Sequence, residues 1–108
     1  MKIFVVTNSL SEPTRETFEE VSRQRFKKIE RLVPTTEEGE PELRLSAEKD
    51  GSDFLVHADL RTFKNGNFLA KTRNRDLRLA ISECAKELKA VISKSKDKSV
   101  SRKKTKEV

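Results

Sequence analysis

"FLVHADLRTFKNGNFLAKTR", residues 54–73, carries the pattern that decides the fold. Phe54, Val56, Ala58 and Leu60 fall on one side of an extended chain, and His57, Asp59 and Arg61 on the other. A period of two describes a strand with one buried face. Asn65-Gly66 follows, and both residues tolerate the positive φ that a tight hairpin turn demands. "FLAKTR", 68–73, is then the return strand. Upstream, "ELRLSAEK", 42–49, sets Leu43, Leu45 and Ala47 against Arg44, Ser46 and Glu48, and "DGSD", 50–53, turns it into the next strand. The three form an antiparallel meander.

Outward from this meander, "KIFVVTN" at the start of the chain is β-rich and reads as a first strand. Ser11, Glu12 and Pro13 make a helix start: a capping residue, an acid and a first-turn proline. From about Glu12 to Leu32, the apolar residues Phe18, Val21, Phe26, Ile29, Leu32 and Val33 occupy roughly 140° of a helical wheel, one buried face. Glu12, Glu16, Glu19 and Glu20 early, and Lys27, Lys28 and Arg31 late, complement the helix dipole. Pro34 ends the helix, and the acidic "PTTEEGEP" is a loop. A last helix opens at Asp76. The order is β-α-β-β-β-α, an α+β fold. It predicts a four-stranded sheet, strand one parallel to strand two, with both helices packed on one face. No internal repeat is present.

Composition sets the limits. A chain of 108 residues has room for one core. With charged residues at 39% and no Trp or Tyr, that core must be built from six Phe and the aliphatics. One Cys excludes an internal disulfide and suits a reducing compartment, so a cytoplasmic location is expected. "IFVV" is too short for a signal-peptide core, which takes about 7–15 residues. No apolar run approaches the ~18 residues of a membrane span. Net charge is +6, but residues 94–108 hold 7 Lys/Arg against 2 Asp/Glu, a balance of +5. The first 93 residues therefore carry 17 basic and 16 acidic groups, or +1. High pI belongs to residues 94–108, of which 97–108 is read as a disordered basic tail, separate from a domain over 1–96. Where the cations sit says more than how many there are.

On the last helix they are not scattered. With Leu77 as zero, Ala80, Ile81, Cys84, Ala85, Leu88, Val91 and Ile92 lie within about 80°, the buried stripe. Arg78, Lys86, Lys89 and Lys96 gather between roughly 100° and 180°, while Glu83 and Glu87 fall on the opposite flank with Lys94 nearby. Arg73 and Arg75 precede the ridge. Long cationic arms at this spacing suit a phosphate backbone, through counterion release. The absence of Trp, Tyr and a strand aromatic pair argues against base stacking on the sheet, so a folded RNA surface fits better than a single strand. The blander reading is a solvated helix face.

Other chemistry is poorly supplied. Cys84 sits on the buried stripe and reads as a packed thiol. His57, the only histidine, reads as a surface or cross-strand residue. There is no Gly-rich phosphate loop, nucleophile–base pair or metal set, so no enzyme activity, cofactor or small-molecule substrate is expected.

The last helix, "RDLRLAISECAKELKAVISKSKDK", together with "NG" before the last strand and "FKKIERL" in the first helix, resembles the short ribosome hibernation promoting factors, the protein Y family of ribosome-associated inhibitors and sigma-54 modulation proteins. In that family the last helix usually begins Asp-Met-Tyr, continues through Ala-Ile, then carries Lys-Leu, Arg-Gln-Leu and a Lys-x-Lys end. Asp76, Ala80, Ile81, Leu88, Lys94 and Lys96 match it, with Leu77 and Ile92 as apolar replacements. Lys28, Ile29, Glu30 and Arg31 match the basic end of the first helix. The resemblance spans roughly residues 1–98. Arg78, Glu87 and Ala90 depart from it, standing where Tyr, Lys and Arg are usual.

The resemblance implies a bacterial stress or stationary-phase factor, monomeric when free. It would dock on the small ribosomal subunit and its rRNA, occlude the mRNA and tRNA sites and silence translation. Lys28, Arg31, Arg73, Arg75, Arg78, Lys86, Lys89, Lys94 and Lys96 are then the candidate RNA contacts. The alternative is a stand-alone module of the same fold for another RNA or an acidic protein. An ordinary double-stranded RNA-binding domain is disfavoured, since its last helix begins with a dense Lys cluster and no strand leads its first helix.

Overall fold

In a computed structural model the chain forms β1 (Lys2–Asn8), α1 (Glu12–Phe26), a 3-10 turn (Lys27–Arg31), β2 (Glu42–Asp50), β3 (Asp53–Arg61), β4 (Asn67–Asn74) and α2 (Leu77–Glu107). The structure describes all residues except Ser9, Pro34, Lys64, Asn65 and Val108, and side chains for all of these but Asn8 and residues 96–107. The order is the expected β-α-β-β-β-α.

The sheet runs β1-β2-β3-β4, with β1 parallel to β2 and the other pairs antiparallel. Register follows the hydrophobic pattern, because a slip of one residue would turn every buried side chain to water. Leu43 pairs with Leu60, Leu45 with Ala58 and Ala47 with Val56; Ala58 then pairs with Ala70 and Leu60 with Phe68. All of these are buried. Gly51, at φ +64, makes the turn between Asp50 and Asp53. Gly66 closes the second hairpin at φ +81, where its carbonyl accepts the Thr62 N–H at 3.2 Å and the Thr62 hydroxyl at 2.6 Å. Asn65, its expected partner in the turn, lies outside the described residues.

Both helices bury their apolar faces in one cluster with this sheet face. Phe18, Ile29, Val56, Leu60, Ile81 and Leu88 are each at most 2% exposed. α2 lies across β4 and β3, and α1 packs beside it. The Thr72 hydroxyl ties strand to helix, donating to the Ala80 carbonyl at 2.7 Å.

The first helix does not keep α geometry to Leu32. It tightens to 3-10 at Lys27, where Phe26, Ile29 and Leu32 recur at a strict three-residue spacing. Three residues per turn brings such positions onto one line, so Phe26 and Ile29 both reach the core. Ser11 is the N-cap as expected, but its hydroxyl bonds the Thr14 hydroxyl at 2.8 Å and caps no backbone N–H. Asp76 caps α2 conventionally, Oδ1 accepting the Arg78 N–H at 2.9 Å, while Asn74 accepts the Asp76 N–H at 2.9 Å. The α2 backbone continues as helix to Glu107. No Gly or Pro interrupts that stretch, and its Lys, Arg and Glu residues are good helix formers. Phe63, in the β3–β4 connection, lies against Gly39 of the loop between the 3-10 turn and β2, where a Cβ would collide with the ring.

Two substitutions test this packing. Asp76→Ala should cost ~1 kcal/mol in a urea melt, the worth of a lost N-cap. Ser22 is fully buried in α1 and its Oγ has no hydrogen-bond partner. Ser22→Ala should therefore leave stability unchanged or raise it by up to about 1 kcal/mol, since it removes an uncompensated desolvation.

Candidate nucleic-acid interface

Packing α1 beside α2 leaves a seam on the side away from the sheet. α2 contributes to it the flank next to its buried stripe, and α1 contributes its last turn and the 3-10 turn. The result is a groove of about 270 Å³ lined by Arg25, Lys28, Lys86 and Lys89, with Gln24 and Ser82 between and Ile29 and Ala85 at its apolar wall. No acid lines it. Four cations from two elements thus face one concavity, which concentrates positive potential beyond what either helix would hold alone.

The fold brings together three of the sequence-derived candidates, Lys28, Lys86 and Lys89, and adds Arg25 and Gln24. Arg25 precedes Lys28 by one turn of chain, and that spacing is the signal that could have found it. Arg31 follows Lys28 by three residues in the 3-10 turn, where i and i+3 eclipse, so it extends the same line beyond the groove. Arg78 is exposed one turn before Ser82 and extends the α2 side likewise.

The remaining candidates sit elsewhere. Arg73 is engaged by acids: its Nε donates to Asp53 at 2.8 Å and its Nη2 lies 3.2 Å from Asp50. The hydrogen bond to Asp53, helped by the field of Asp50, raises its already high pKa. A phosphate would have to displace these carboxylates. Arg75 is 4.0 Å from the same Asp53 and largely exposed, a looser contact. Lys94 lines a separate cleft beside Phe68 and Val91, against β4. The side chain of Lys96 lies outside the described residues. Glu87, one of the departures from the family pattern, is not in the groove; with Leu69 and Lys71 of β4 it lines a cleft of about 590 Å³ that also takes in Arg44, His57 and Asp59.

Among the described residues no group of three His, Cys, Asp or Glu is placed to hold a metal ion, and no helix is long and apolar enough to cross a membrane. His57 is exposed on the open sheet face, as expected. Cys84 is fully buried, its Sγ 3.8 Å from the Ala70 carbonyl and 3.9 Å from that of Val56. Burial pushes its thiol up to about 12, against a lowering contact with Thr72 and with a further raise from Glu87.

No family model matches the chain, and no curated protein matches it in sequence. Solved structures do. A ribosomal subunit interface protein from Coxiella burnetii superposes with a TM-score of 0.69 at 13% identity, covering 90% of this chain and 99% of that one. The N-terminal domain of Thermus thermophilus protein Y superposes at 0.67 with 14% identity, covering 87% and 98%. The chain has the fold of the protein Y N-terminal domain. At this identity the agreement lies in the architecture, the sheet order and the helix placement, and nearly the whole of each of those domains has its counterpart here.

Cys84 gives a test of the core beneath the interface. The folded chain holds the thiol proton up to about 12, whereas an unfolded cysteine loses it near 9, its ordinary value. A raised folded pKa contributes stability that is fully present below the unfolded value and lost as pH rises through the window from 9 towards 12. Iodoacetamide at pH 8.5 should leave Cys84 unmodified in the native protein and alkylate it at the unfolding rate in denaturant. Rapid native alkylation would contradict the packing.

Proposed function

We propose that this chain is a non-enzymatic, cytoplasmic ribosome-binding factor of bacterial stress or stationary phase, gripping rRNA of the small subunit with the α1–α2 groove. Bound there, it would occlude the mRNA and tRNA sites and silence translation. The observation that carries this reading is the groove itself: Arg25, Lys28, Lys86 and Lys89 converge with no acid among its lining residues. The shared fold with proteins described as a ribosomal subunit interface protein and as protein Y supports the choice of partner.

The physics of such a grip is simple. The first 93 residues balance to +1 and have no general attraction for RNA, so an oriented grip by this body must come from local segregation of charge. Each cation that neutralises a phosphate releases counterions, and a fixed groove sets orientation as well as affinity. We assign the binding to residues 1–96. The Lys/Arg-rich remainder, 97–108, adds sequence-independent attraction.

The same groove would serve a module for another RNA or an acidic protein, so the test uses ribosomes. The full chain should cosediment with small subunits and lower synthesis in a cell-free translation reaction. Replacing Lys28, Lys86 and Lys89 together by Ala should abolish both and leave the melting curve unchanged, because all three are exposed. Each of the three replaced singly should weaken binding and reduce the slope of log affinity against log salt by about 1. Arg73→Gln should bind nearly as the parent does, since Asp50 and Asp53 already hold that guanidinium. A triple variant that binds normally, or failure of the parent to pellet with ribosomes, would reject the proposal.

A further inference from the structure

The two edges of the sheet differ in how they meet solvent. β4 shows Lys71 and Arg73, the usual protection of an edge strand. β1, "KIFVVTN", has one charge, Lys2 at its start, and no Pro or Gly. Its open-face side chains are large and apolar, with Phe4 44% and Val6 50% exposed. The Lys2 N–H bonds the Pro41 carbonyl, and the register runs in step from Lys2↔Glu42 to Asn8↔Glu48. Even-numbered residues therefore aim their backbone groups at β2. By the strand alternation, the N–H and C=O groups of Ile3, Val5 and Thr7 point out of the sheet.

We propose that β1 is a self-pairing edge, which joins a second copy of this chain antiparallel about a two-fold axis through Val5. The outward backbone groups select that register. Val5 meets Val5, and Ile3 meets Thr7 on both sides, each as a hydrogen-bonded pair. Phe4 then falls opposite Val6 of the second copy, at the non-hydrogen-bonded positions where side chains approach closest. Every pair is free of like charges, and Lys2 stands opposite the uncharged Asn8. Sliding the copies by two residues either way keeps the outward groups usable, but it brings Phe4 onto Phe4 or Val6 onto Val6 and loses a pair within the strand. A two-fold axis normal to the sheet leaves both helical layers, and both grooves, facing the same side. The strand's own complementarity is what favours a second copy over a foreign peptide.

An edge contact of this length buries less than the ~1,200 Å² of a standard interface, so pairing is weak and concentration-dependent. The chain is then a monomer when dilute and a dimer when concentrated. The test uses no ribosomes, so its outcome is independent of the RNA-binding proposal. Sedimentation velocity of the full chain from about 10 μM to about 1 mM should show a monomer passing to a dimer. Phe4→Lys with Val6→Lys places Lys opposite Lys and should remain monomeric throughout, with an unchanged melting curve because both sites are exposed. Phe4→Lys with Val6→Glu places each Lys opposite a Glu in this register alone, and should restore a dimer that high salt dissolves. A parent chain monomeric at 1 mM, a Lys/Lys variant that still pairs, or a Lys/Glu variant that does not recover would each overturn the proposal.

Discussion

One sheet face, carrying mostly small and aliphatic residues, has to bury two helices side by side. Ala47, Ala58 and Ala70 are all on that face, and Cys84 presses onto the backbone of β3 and β4 at Val56 and Ala70. Small residues there let α2 sit close to the strands. The larger volume is supplied from the helices and the sheet ends, by Phe18, Phe26, Leu88 and Leu60. Close seating of α2 over β3–β4 leaves α1 one place to pack, alongside it. The seam between the helices, and hence the groove, is a consequence of that arrangement.

Charge is distributed to match. The body of the chain is nearly balanced, yet its acids and bases are sorted by location. Asp50 and Asp53, at the β2–β3 turn, engage Arg73 and approach Arg75, drawing those cations into the sheet end. Glu87 stands at the β4 side of α2, with Lys71 across the same cleft. The helix–helix seam receives four bases and no acid. Such exposed ion pairs contribute little to stability, so their larger effect is on where free positive charge remains.

Much of this was legible in the chain. Alternation at 43–47 and 54–60 fixed the strands and their faces, because one side had to be dry and a slip in register would expose it. The α2 stripe placed Ile81, Cys84 and Leu88 in the core, and put Lys86 and Lys89 on one flank. What the sequence withheld was the partner of that flank. A helical wheel describes one helix, and the relation between Lys28 and Lys86 exists only once α1 and α2 are packed. Arg25 was missed for the same reason. Arg73 reads as available because nothing local shows that Asp53 and Asp50, 20 and 23 positions earlier, return beside it through one and two hairpins. The switch to 3-10 at Lys27 was written in the three-residue spacing of Phe26, Ile29 and Leu32, but it competes with a good α pattern upstream.

The low identity to proteins of the same fold, 13% and 14%, follows from the same constraint. What the architecture demands is a period, a small residue under α2 and a cap at its start, and many sequences meet those demands. Departures are tolerated where they touch neither the core nor the seam. Glu87 faces the β4 cleft, so a carboxylate there leaves the lining of the α1–α2 groove wholly cationic. Arg78 adds a base one turn before Ser82, in line with Lys86 and Lys89. A helix can thus exchange an individual cation and still present a positive flank, provided that the replacement lies on the same side of the buried stripe. If the surface meets phosphates as proposed, by field and reach rather than by a single fixed hydrogen bond, that is the property that has to be kept.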